Sequence, residues 1–199
     1  MADVTEINER IVAEADDRGG SLLVDEFLTL IEQYHSHERP GIAWATLEAY
    51  TEAMVGTDHG HSHDMEGVLD AVDERLTDGE YRTDAFYRVG DDRVSIYPAS
   101  WHDALGGEID LREYVSFLTN LDLDDENGAE LGANGGGVPE QLLIEVAGIV
   151  GRADPETVKS RLEDLRERHE LVEDADQHPN ARVRLPENAD NLRDSSIDS

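Results

Sequence analysis

The chain has 199 residues, with 47 acidic side chains against 16 basic ones for a formal charge of −31, and no cysteine. That length suits one large or two small domains, and the missing thiols exclude a disulfide scaffold, a thiolate zinc finger and a cysteine nucleophile. No apolar run reaches the roughly 18 residues of a membrane span, and MADVTEINER lacks the basic-then-apolar plan of a secretory signal, so the expected compartment is the cytoplasm.

In chain order, Thr5–Asp17 places Ile7, Ile11, Val12 and Ala15 at helical spacing, and Arg18-Gly-Gly20 stops it. A second helix is expected over Ser21–His35, with Leu22, Phe27, Leu28 and Ile31 on one broad face. After Pro40 a third runs over Ile42–Val55 and a shorter one over Met65–Leu76. The period then changes. Ala85–Val89 and Arg93–Tyr97 are β-branched and aromatic runs around Gly90-Asp-Asp92, the pattern of a hairpin. Asp110-Leu-Arg-Glu113 has capping-box spacing and opens a helix through Leu121.

Residues 122–137 are acidic and glycine-rich without apolar period, and are expected to form a flexible linker. Beyond them, Pro139–Val150 is helical and apolar on most sides, and Gly151-Arg152-Ala153 turns. Asp154-Pro155 is an N-cap followed by proline at the first helical position. The helix it opens buries Val158, Leu162 and Leu165 and ends near Leu171-Val172. A polar turn over Glu173–Asn180 leads to Ala181–Leu185, which alternates as a strand does, and residues 187–199 read as a disordered tail.

Fifteen of the basic residues are arginine, Lys159 being the single lysine, and the acids are spread through segments that also carry periodic Leu, Val and Ile. This composition resembles that of haloarchaeal proteins. At molar salt the Debye length is about 3 Å, so the self-repulsion of such a surface is screened, and the distribution of charge matters more than its sum. Residues 138–186 hold seven of the sixteen bases in a quarter of the chain.

The order from Gln141 to Leu185, helix, turn, capped helix and strand, resembles the winged helix-turn-helix superfamily. In DNA-binding members the second helix enters the major groove and the wing reaches phosphate. The resemblance implies a DNA-associated regulator. Carried over by position, it places duplex contact at Arg152, Thr157, Lys159, Ser160, Arg161, Arg182 and Arg184. It also implies an α+β, mainly helical chain of tandem winged-helix-like domains. An acidic helical domain with a hairpin would occupy 1–121, the linker 122–137 and the winged helix 138–186. The first domain would serve self-association, as a homodimer, or a protein partner, with Trp44 or Tyr50 as exposed anchors. Its expected reading helix, Ile42–Met54, has no basic residue. The alternative to DNA contact is a protein–protein adaptor, because Glu156, Glu163, Asp164 and Glu167 share the second helix with the arginines. In that case the arginines would pair with helix acids at i, i+3 or i, i+4.

His59, His61 and His63 fall within five residues, and imidazole suits zinc or nickel. A metal-responsive regulator is therefore a further alternative, set against a histidine-rich loop with no cofactor. Asp64 follows the third histidine, so the spacing of a metallo-β-lactamase is not met. Neither a Walker loop nor a Gly-x-Ser-x-Gly elbow occurs, and a non-enzymatic protein is expected.

Overall fold

The computed structural model describes residues 7–35, 39–55, 67–123, 128, 131, 137–173 and 181–186, so that most of the expected linker and the whole of the expected tail lie outside the described residues. The chain divides into two units, Met1–Ala104 and Leu105–Ser199. Among the described residues it is of α+β type, with eight α-helices and two small sheets.

In the first unit, the Asn8 side chain accepts the Arg10 N–H and opens α1 (Glu9–Arg18), which buries Ile11 and Ala15. Gly19, at φ +63°, ends it. Helix α2 (Val24–Tyr34) begins where the Glu26 carboxylate accepts the Leu23 N–H at 3.0 Å, and it buries Phe27, Leu28, Leu30 and Ile31. Periodicity alone predicts one helix from Ile42 to Val55. In the structure Ile42–Ala43 is a strand, β1, and α3 (Trp44–Val55) follows it directly. The reason is tertiary: Ile42 pairs with Val94, about fifty residues on, and the ladder outweighs local helical preference. Neither expected anchor stands free on the surface. Tyr50 is fully buried, its hydroxyl accepting the Asn8 N–H at 2.9 Å and lying 2.8 Å from His35 Nδ1. Trp44 is half-buried and packs against the same core.

Helix α4 (Val68–Arg75) leads into β2 (Leu76–Thr77). Strands β3 (Phe86–Arg88) and β4 (Arg93–Ser95) form the expected hairpin, with Gly90 at φ +79° in its turn. The sheet order is β1-β4-β3-β2, antiparallel except between β2 and β3. Helix α5 (Ala99–Leu105) follows, and its Trp101 stacks on Tyr97 and Tyr81 at 5.1 Å between ring centroids.

The second unit contains α6 (Leu111–Thr119), β5 (Val138–Pro139), α7 (Glu140–Ile149), α8 (Pro155–Glu167), β6 (Val172–Glu173) and β7 (Arg182–Arg184). The division of the chain falls before α6, earlier than the change in composition at residue 122. The sheet order is β5-β7-β6, antiparallel throughout. Its strands give Val138 and Val183 to the core, both 0 % exposed, and α7 adds Leu143, Val146 and Ile149.

Both units share an order of helix, strand, helix, helix and hairpin, to which the first adds α1, β2 and α5, and each sheet places its last hairpin strand beside the first strand. The joint at the first strand is also the same. Gly41 at φ +71° and Gly137 at φ +77° precede β1 and β5. At Gly41, Arg93 donates to the carbonyls of Pro40 (2.6 Å) and Gly41. At Gly137, Arg182 donates to the glycine carbonyl at 2.9 Å. Either glycine is confined by φ and by space: a Cβ would lie 2.9 Å from the Val94 carbonyl oxygen at Gly41, and 2.7 Å from Arg184 Cγ at Gly137.

Candidate interaction site

Helix α8 starts as Asp154-Pro155 dictates. The Asp154 carboxylate accepts the Thr157 N–H at 3.0 Å and lies 3.2 Å from the Thr157 hydroxyl, while Pro155 occupies a position whose missing N–H costs nothing. Val158 and Leu162 point into the core. The exposed side carries Glu156, Glu163, Asp164 and Glu167 alongside Thr157, Lys159, Ser160 and Arg168. Four carboxylates against two cations make this face repulsive to a phosphate backbone, whose affinity depends on cationic contacts.

The residues expected to contact a duplex do not form one surface cluster of cations. Lys159 pairs with Glu156 at 3.1 Å. Arg161 donates to the Ile109 carbonyl at 3.3 Å. Arg182 is spent on the Gly137 carbonyl, and Arg184 fills the space beside that glycine, both half-buried. Thr157 serves the cap. Ser160 is exposed, as is Arg152, which sits in the turn after α7 at φ +55°. Arg166 does not pair within its own helix: it joins Glu140 of α7 at 2.5 Å and Glu173 of β6 at 3.1 Å, tying helix to sheet. His59, His61 and His63 lie outside the described residues.

Among the described residues, Arg112 and Arg168 lie near the start of α6. Asp110 caps that helix, and its two oxygens accept from Arg112, which also pairs with Glu170. Arg112 holds the Asp110 carboxyl below the usual carboxylate range. A carboxyl lowered by folding stabilises the fold above its unfolded value near 3.9 and loses that contribution as pH falls through the folded value. Asp110→Asn, which keeps a good cap, is expected to flatten the decline of the urea midpoint below about pH 4. An unchanged acid limb would contradict this assignment.

Beside Asp110 is a shallow cleft of about 240 Å³, bounded by Ile109–Arg112 on one side and by Arg161, Asp164 and Leu165 of α8 with its C-cap Arg168 on the other. Ile109 stands 62 % exposed at its edge. Sequence periodicity could not find Ile109, a lone apolar residue between two acids.

One grouping in the first unit has the residue types of a nucleophilic triad. Ser95 Oγ lies 2.8 Å from His102 Nε2, and Glu32 Oε1 lies 3.9 Å from the same nitrogen. Such a triad needs the acid on the opposite ring nitrogen, and all three residues are buried, at 0, 4 and 1 % exposure. The arrangement is a core polar network: Glu32 Oε2 accepts the Ile96 N–H and Ser95 Oγ the Tyr97 N–H, each at 3.0 Å.

Comparison with family models, with curated proteins and with solved structures gave no match. No helix among the described residues is long and apolar enough to cross a membrane.

Proposed function

We propose that the chain is a protein–protein adaptor of two winged-helix-like units, acting by binding rather than by catalysis, in a high-salt cytoplasm that suits its acid-rich, lysine-poor composition. The shared order of helix, strand, helix, helix and hairpin supports the tandem reading. On this reading α4, not α3, takes the place of the reading helix in the first unit. Its one cation, Arg75, pairs with Asp25 at 2.6 Å and lies over the Phe86 ring.

The observation that carries the adaptor reading over DNA contact is the use of the arginines and lysine of residues 138–186. Most are engaged by carboxylates or backbone carbonyls, while the outward side of α8 is predominantly acidic. Groove insertion would press Glu156, Glu163 and Glu167 toward phosphates, which costs affinity at any salt where phosphate contact contributes.

The test is a titration of labelled duplex DNA with the full chain in molar KCl and in lower salt. No saturable binding is expected, and Lys159→Ala should leave the traces unchanged. Saturable binding that Lys159→Ala weakens on every duplex would restore the DNA reading.

A further inference from the structure

The two units correspond pair by pair at their first strands. Ile42 pairs with Val94 and Ala43 with Arg93, as Val138 pairs with Val183 and Pro139 with Arg182. That register makes α3 and α4 the counterparts of α7 and α8. Between α7 and α8 the chain takes residues 150–154, and Asp154 caps the second helix with its carboxylate. Between α3 and α4 it takes residues 56–67, and α4 starts from Gly67, which has no side chain to cap it. The added residues have a pronounced chemistry. Asp58-His59-Gly60-His61-Ser62-His63-Asp64 holds three of the chain's eight histidines in five positions, with an aspartate on either side. The three histidines lie outside the described residues, but both ends of the joint that carries them are described.

We propose that His59, His61 and His63 bind one divalent transition-metal ion of the zinc and nickel class at the joint between α3 and α4. Alternate residues of an extended chain point to the same side, so this spacing lets a single ion reach all three imidazoles. The choice of imidazole suits the composition. In molar KCl the 47 carboxylates of the chain face a large excess of hard cations, and oxygen donors suit hard ions. Neutral imidazole favours zinc, nickel and copper instead, so a histidine set stays selective where an acidic one does not. The position also gives the ion something to do. It would bind just ahead of a helix that starts without a side-chain cap and whose first turn is held by the Ala71 N–H on the Gly67 carbonyl at 2.9 Å. Metal would thereby fix the start of α4, the counterpart of the well-capped α8. This site does not depend on the adaptor reading and stands or falls without it.

The test uses the full-length chain made without an affinity tag, stripped with a chelator and then given zinc or nickel in molar KCl. After gel filtration at about pH 7.5, where ordinary imidazole is neutral, one ion per chain is expected by elemental analysis. The variant His59→Ala/His61→Ala/His63→Ala should retain none. At about pH 5 imidazole is protonated while carboxylates remain ionised, so the wild-type chain should lose its ion. Retention at that pH would assign the metal to the acids and overturn the proposal. A measurement on the wild-type chain alone guards against misfolding of the variant. Diethyl pyrocarbonate modification, mapped by mass spectrometry, should be abolished by metal at His59, His61 and His63 and be unchanged at His169, which is exposed in the second unit. No retained ion, equal metal content in the triple variant, or equal modification of the three histidines with and without metal would each overturn the assignment.

Discussion

Glu32→Ala is expected to destabilise the first unit by about 2–4 kcal/mol, the cost of leaving a polar group without its acceptor together with the cavity opened in the core. Glu32 is 1 % exposed on α2, yet it serves two other elements: its Oε2 accepts the Ile96 N–H after β4, and its Oε1 faces His102 of α5. Alanine would leave that part-buried N–H without its acceptor and open a cavity beside it. Glu32→Gln retains an acceptor oxygen and should cost much less. Urea unfolding gives the free energies, and amide exchange at Ile96 and Tyr97 places the loss. A change below about 1 kcal/mol, the scale of an ordinary hydrogen bond, would mean the network contributes little.

Gly151→Ala should lower the thermal midpoint of the second unit by about 10 °C, corresponding to about 2 kcal/mol in a unit of this size. Gly151 follows α7, and a Cβ there would collide with the Tyr114 hydroxyl and lie 2.6 Å from the Ala147 carbonyl oxygen. Neither neighbour yields easily. Tyr114 is fully buried and donates to the Glu108 carbonyl at 2.9 Å, and burial pushes its phenol up to about 12, so it stays neutral at physiological pH. Because the closest collision is with the phenolic oxygen, Tyr114→Phe should partly rescue Gly151→Ala. The double variant is expected to be more stable than the sum of the two losses. Strict additivity would show that the backbone contact alone sets the cost.

What the sequence made legible is what acts locally. Asp154-Pro155 starts α8 because its cap and fixed φ operate within one turn, and Gly90-Asp-Asp92 joins β3 to β4 for the same reason. Two-residue strands such as β1, β5 and β6 have no period to detect. They exist because of partners far along the chain, Val94 for Ile42 and Val183 for Val138. The partners of the arginines in residues 138–186 are set at the same distance scale. Alternation puts Arg182 and Arg184 on one side of β7, but nothing in that pattern reveals that Gly137 lies beside them. Similarly, Glu32, Ser95 and His102 come from three separate elements, and no spacing joins them.

The glycine–arginine joint bears on how far this composition can be altered. A guanidinium is a flat fork with several donors, and Arg93 uses it to reach successive carbonyls, whereas a lysine ammonium is a compact point charge on a flexible stem. Replacing Arg93 by lysine would preserve the charge of the chain and still loosen the first sheet where β1 begins. Arginine at position 93 thus has a mechanical role beyond its charge.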